Sequence, residues 1–125
     1  MTPIRPASFG PPRLPFTPAV KANGFVFVSG QASTDANGNI VNDTFEAEFR
    51  RSVGHVKTIL AADGLTLADV VQVRSYLAKQ EDLAEYNRLY REYFAEPYPA
   101  RTTLVGCLGT GSILYEIDVV AAAKS

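Results

Sequence analysis

The chain has 125 residues, 46% of them apolar and 20% charged, with a net charge of −1. That suffices for one hydrophobic core, so residues 1–125 are read as a single domain. Near-neutral charge removes the broad basic face that nucleic-acid binding requires, and no apolar run approaches membrane-spanning length.

One cysteine, Cys107, and one histidine, His55, leave no intramolecular disulfide and no His/Cys zinc site; no metal is expected. The N-terminus lacks a charged-then-apolar signal pattern, so the expectation is a cytoplasmic protein.

Residues 2–16 hold five prolines and read as an irregular, partly extended lead-in. Ala19 to Ala22 and Phe25 to Val28 flank Asn23-Gly24, the pair that supplies the two positive φ values of a type I′ hairpin turn. Ser29-Gly30-Gln31 closes the second strand. Asn42-Asp43-Thr44 matches a glycosylation sequon but is read as a turn before a helix. The spacing predicts that helix over 45–63, with Asp43 and Glu46 in a capping box and Phe49, Val53, Val56 and Leu60 on one face. Gly64 suits its C′ position. His55 lies beside the apolar stripe as an exposed or flanking residue without an evident catalytic partner.

Val70 to Ala78 is β-branched and reads as a strand. A second helix is predicted over about 83–95, where Leu83, Tyr86, Leu89, Tyr90 and Tyr93 repeat at helical spacing. Tyrosines interleaved with Arg88 and Arg91 could form an RNA-stacking surface, but packing against a sheet is the reading adopted. Strands at about 101–107 and 113–122 end the chain. The glycine-rich run from Gly106 to Ser112 is read as their connection, not a phosphate cradle, because no helix start follows it. Cys107 has no neighbouring signal for thiolate activation and is read as an inert, packed thiol.

The order β-β-α-β-α-β-β specifies an α+β domain whose two helices cover one face of a sheet of five or six strands. Tyr115 to Val120 carries apolar residues on both faces, which points to burial of the second face between subunits.

Two charged residues occupy strand positions. Arg101 opens the apolar and hydroxyl segment Arg101-Thr102-Thr103-Leu104-Val105, and Glu116 is embedded in Tyr115-Glu116-Ile117-Asp118-Val119-Val120. A guanidinium at a strand mouth suits bidentate capture of a small carboxylate. A structural ion pair or a solvated strand face would leave the same spacing.

Several short motifs, in order, then coincide with a known group. They are Phe25-Val26-Phe27-Val28-Ser29-Gly30-Gln31, Ala61-Ala62-Asp63-Gly64-Leu65 through Asp69-Val70-Val71, Tyr86-Asn87 before Tyr93-Phe94, Pro99-Ala100-Arg101-Thr102-Thr103, and Glu116-Ile117-Asp118-Val119-Val120-Ala121. Over about residues 16–123 the chain resembles the RidA (YjgF) family. The resemblance implies a chorismate-mutase-like α+β fold with a mixed sheet of about six strands, two helices on one face, and a homotrimer with sites between subunits. It implies cofactor-independent hydrolysis of reactive enamines and imines, such as 2-aminoacrylate and 2-aminocrotonate, to 2-keto acids and ammonia. Arg101 would bind the substrate carboxylate. The backbone at Ser29 and Gly30 would lie beside the substrate. Asn87 would stand near the cleft, or cap and bridge the helix–sheet contact. Glu116 would position the attacking water, with the Thr103 carbonyl helping to hold it.

The chain departs from the family twice. Leu14-Pro15-Phe16 replaces a Gly-Pro-Tyr run, so Phe16 keeps the ring without the hydroxyl, and Thr103 stands where many members have cysteine. Two further functions are therefore carried alongside the first: a deaminase for a larger enamine such as 2-aminomuconate, and a non-catalytic trimer that binds carboxylate metabolites. A ribonuclease role finds little support in a near-neutral chain with one unpartnered histidine.

Overall fold

The computed structural model describes residues 1–109 and 112–123; Thr110 and Gly111, within the predicted 106–112 connection, lie outside the described residues. Six strands form one sheet in the order β1-β2-β3-β6-β4-β5. They are β1 (Thr2–Ile4), β2 (Ala19–Ala22), β3 (Phe25–Ala32), β4 (Val70–Leu77), β5 (Ala100–Val105) and β6 (Tyr115–Ala122). All neighbours are antiparallel except β4 and β5, which run parallel across the crossover helix α2 (Leu83–Tyr93).

The proline-rich lead-in is more regular than predicted, because Thr2–Ile4 adds an edge strand to β2 and Ala7–Phe9 forms a 3₁₀ turn. Proline is tolerated on an edge strand, where one row of N–H groups faces no neighbour. The β2–β3 turn is built as the dipeptide requires: Asn23 has φ 51° and Gly24 φ 81°.

Helix α1 spans Phe45–Ala61, shorter than the predicted 45–63. Its N-cap is Thr44, whose hydroxyl accepts from Ala47 N at 3.2 Å. The predicted Asp43–Glu46 box does not form: Asp43 Oδ1 accepts from Thr44 N, and Glu48 closes back on Asp43 N. At the other end Gly64 has φ 73°, Gly64 N donates to Ala61 O, and Leu65 N donates to Leu60 O. That is the Schellman closure, for which an L side chain would be strained.

Both helices lie on one face of the sheet. Phe49, Val53, Val56 and Leu60 of α1 and Tyr86 and Leu89 of α2 are fully buried against Tyr115, Ile117 and Val73. Phe49 stands 4.8 Å from Tyr115 between ring centres, and Tyr86 stands 5.8 Å from it. The tyrosines of α2 therefore pack against the sheet as expected, each fully buried ring contributing about 1.5–3 kcal/mol.

The opposite face is uncovered within the chain. Phe25, Phe27 and Leu104 are 42%, 44% and 47% exposed. Register places the two phenylalanines beside Ala122 and Val120 and places Leu104 beside Tyr76. Cys107 is exposed, correcting the expectation of a packed thiol: it follows Gly106 (φ 83°), where the chain has already left β5.

Candidate active site

Arg101 pairs with Val73 in the β4–β5 ladder, which puts its side chain on the helix-covered face at the sheet's edge. Its guanidinium carbon lies 4.9 Å from the Tyr86 ring centre and 4.8 Å from that of Tyr90. Two ring faces spaced one helical turn apart thus orient the fork by cation–π attraction. Among the described residues no carboxylate comes within ion-pair distance of it. Of the two bland readings of Arg101, the structural ion pair is thereby removed.

Thr103 lies two residues on and faces the same way; its hydroxyl is 3.0 Å from the Tyr86 hydroxyl. Asn87 is half-buried on α2, with its carbonyl accepting from Arg91 Nη1 at 3.3 Å. Tyr90 carries a buried hydroxyl with no partner. Burial, then the neighbouring Tyr86, push its pKa up to about 12.

Glu116 is opposite Tyr76 in the β4–β6 ladder, so its side chain is on the other, uncovered face. It is half-buried against β3, whose register to β6 slips between Val28 and Gln31. The slip is a bulge at Ser29-Gly30, and its function here is concrete: a Cβ on Gly30 would overlap the Glu116 carboxylate. The close approach expected at this glycine is therefore made by a side chain of the same protomer. Two residues along the strand, Asp118 accepts from Arg74 Nε at 2.8 Å and from the Tyr76 hydroxyl at 2.7 Å. Burial raises the pKa of Glu116 above the ordinary 4.5, and the negative charge of Asp118 adds to the rise. The pKa of Tyr76 is raised too, by burial first and then by its hydrogen bond to Asp118.

Ser29 has a positioning task. Its hydroxyl donates to Thr17 O at 2.5 Å and its N–H donates to Pro18 O at 2.8 Å. These bonds fasten the lead-in to the bulge and bring Phe16, 53% exposed, to the rim of a cleft of about 600 Å³. Gly30, Gln31 and Glu116 line that cleft together with Arg13, His55 and Ile40. His55 is half-buried there, not merely flanking: Nε2 lies 3.0 Å from both Thr34 Oγ1 and Thr34 O, and Phe9 meets the ring edge-on.

The expected residues thus fall into two sets. Phe16, Gly30 and Glu116 share the cleft, with Ser29 holding its rim. Arg101, Thr103 and Asn87 cluster at the far edge on the other face. Because side chains alternate across a strand, Arg101 and Glu116 cannot meet in one chain without breaking the sheet between them. Sequence reasoning missed four neighbours. Tyr86 and Tyr90 were assigned only to packing, although their four-residue spacing could have suggested a seat for a cation. Asp118 shares Glu116's face by the two-residue period. Arg13 sits in a loop with no periodicity to mark it. Among the described residues no cluster of His, Cys, Asp or Glu could hold a metal ion, and no helix is long and apolar enough to cross a membrane.

The mixed six-stranded sheet, two helices on one face and a bulged β3 beside an acidic β6 define an α+β fold of the RidA type. The structure of RidA from an Antarctic Psychrobacter superposes with a TM-score of 0.85 at 27% identity, covering 98% of this chain and 99% of that one. A family model described as Endoribonuclease L-PSP matches residues 9–123, and the chain belongs to that family, the one that includes the RidA and RutC proteins. The RutC family protein PH0854 of Pyrococcus horikoshii is 36% identical over 108 residues, 86% of each chain. The 3-aminoacrylate deaminase RutC of Acinetobacter baylyi is 35% identical over 119 residues, 94% of each chain.

Proposed function

We propose that the protein is an enamine/imine deaminase that converts small reactive 2-imino acids, of the 2-aminoacrylate and 2-aminocrotonate type, to 2-keto acids and ammonia. The carrying observation is the pair of half-sites: an unpaired, ring-flanked Arg101 on the helix-covered face, and on the opposite face Glu116, which lines the cleft and whose pKa burial raises. We propose further that copies of the chain, as a homotrimer, bring Arg101 of one protomer to the Glu116 cleft of the next. The uncovered apolar residues Phe25, Phe27 and Leu104 support such an assembly, since exposed patches of this kind favour association.

In the composite site the Arg101 fork holds the substrate carboxylate by two parallel hydrogen bonds. The enamine takes a proton at C3, the carbon next to the one that bears nitrogen, and becomes the iminium ion. Water adds to C2 of the iminium and gives up a proton, the amino group of the tetrahedral product takes one, and loss of the hydroxyl proton then expels ammonia and leaves the 2-keto acid. Each step moves one proton, and a carboxyl that titrates closer to neutrality than usual suits that shuttle, worth typically 10²- to 10⁴-fold. No step needs a cofactor. Phe16 would border the substrate with a ring face in place of a phenol. The name of the Acinetobacter relative, a 3-aminoacrylate deaminase, supports enamine deamination as the class of reaction, there on a 3-amino acid.

The test is to generate 2-iminobutanoate enzymatically and follow 2-ketobutyrate and ammonia release. Wild type should exceed the spontaneous rate, and Arg101→Ala should return to it. Equal rates for the two proteins would remove the proposal. Binding of 2-ketobutyrate without turnover would leave a carboxylate-binding trimer instead. The size of the cleft favours a second version of the activity, on a larger enamine.

A further inference from the structure

We infer that the cleft accepts imino acids bearing a second acidic group, with Arg13 as the residue that binds it. This rests on the proposed deaminase reading and names the substrate class of that same site. The first ground is size. A cleft of about 600 Å³ lies well inside the roughly 300–1,000 Å³ of pockets that enclose drug-sized ligands. A substrate of three or four carbons beside Glu116 would leave much of it to water.

The second ground is charge. Arg13 lines the cleft that Glu116 lines, and the segment from Arg13 to Phe16 forms one wall of it. Two glycines in left-handed conformations seat the guanidinium: Gly10 at φ 68° and Gly38 at φ 81°. A Cβ at Gly38 would stand 3.0 Å from Arg13 Nη1, and one at Gly10 would stand 3.8 Å from Nη2. A side chain at Gly38 would press the guanidinium aside by a few tenths of an ångström, whereas one at Gly10 would only touch it. Among the described residues no carboxylate comes within ion-pair distance of Arg13.

The acid nearest in sequence that shares this wall, Asp35, is committed elsewhere. Its Oδ1 accepts from Asn37 N at 2.9 Å and Asn39 N at 3.0 Å, and these bonds, before the weaker influence of Arg13, hold its pKa down. Arg5 also lines the cleft, but its Nη1 donates to Gly10 O at 3.3 Å and so braces the loop that seats Arg13. The second reacting end of the ligand is fixed by Arg101 and Glu116 in the proposed composite site. Arg13 then reads the far end.

The experiment compares two six-carbon product analogues, 2-oxoadipate and 2-oxohexanoate, which differ only in the distal carboxylate. Their Kd values are measured by calorimetry on the intact wild-type oligomer and on Arg13→Gln and Arg13→Lys. Because Arg13 is exposed, none of these changes threatens the core. Wild type should favour 2-oxoadipate about tenfold, the lower end for a charge-assisted pair. Arg13→Gln should bring the ratio to about one, and Arg13→Lys should retain part of it. Comparable affinities for the two acids in wild type would overturn the role of Arg13 while leaving the deaminase site standing. Binding of neither acid would overturn both. A wild-type preference that survives Arg13→Gln would place the distal contact elsewhere and overturn this assignment.

Discussion

Replacing Gly30 by Ala tests the most local geometric claim, that the β3 bulge exists to admit the Glu116 carboxylate. Gly30 is not among the residues with positive φ, so alanine is acceptable to the backbone. The conflict is with the side chain alone: the new Cβ would overlap Glu116 Oε2 and stand 3.2 Å from Cδ. To restore ordinary contact the carboxylate must retreat by about 1 Å, and a misplacement of that size costs roughly 10²-fold in rate. Glu116 is half-buried and can rotate outward, so the fold should lose only about 1 kcal/mol, the low end for overpacking. The assay generates an imino acid with an amino-acid oxidase and follows its removal above the spontaneous rate, with a thermal melt as the control. In a Glu116→Ala background the same Gly30→Ala change should cost nothing further, because the two residues act as one unit. Full activity in Gly30→Ala, or equal losses in both backgrounds, would refute the reasoning.

Arg101→Lys keeps the charge but removes the planar fork, and kcat/KM for imine hydrolysis should fall at least about tenfold; a rate matching wild type would mean that the fork is not used. Glu116→Gln should have a stability effect that depends on pH. A carboxyl whose pKa is raised by folding contributes stability below its ordinary 4.5, and that contribution is lost as pH rises through the folded value. The glutamine variant should therefore melt with wild type near pH 4 and above it near pH 8, while losing turnover. The reverse order of melting temperatures would show that the charged form is favoured in the fold. Glu48→Ala should be strongly destabilising. The fully buried Glu48 accepts from Leu114 N and Asp43 N, each at 3.0 Å. Leu114 N is half-buried and Asp43 is open to water, so losing both bonds should cost about 2 kcal/mol, measured by urea denaturation; a loss under about 0.5 kcal/mol, the range of ordinary surface changes, would contradict that role.

Much of the fold was legible because its signals are local. Asn23-Gly24 dictates its turn, Gly64 its helix end, and the stripe of Phe49, Val53, Val56 and Leu60 its buried face. The misreadings were also local, where two residues compete for one task. Thr44 takes the cap assigned to Asp43 because Glu48 reaches back to the Asp43 N–H. The edge strand Thr2–Ile4 was hidden by prolines that an unpaired edge permits. Site residues were recognisable as types, through their match to a family, but their grouping was not. Which face Arg101 occupies depends on its parallel register with Val73, a pairing between segments far apart in the chain. Arg13 gave no signal at all, since its position depends on two glycine turns in separate loops.

The account depends most on the division of one site between copies, and mixed oligomers test that directly. Arg101→Ala and Glu116→Gln are purified, unfolded together in equal amounts, refolded, and assayed for imine hydrolysis beside each variant refolded alone. A site that takes Arg101 from one protomer and Glu116 from the next is restored once in every mixed ring. Randomly assembled trimers should then recover roughly a quarter of wild-type activity, although each variant alone has almost none. A mixture no more active than its components, with exchange of subunits verified by mass, would contradict the account.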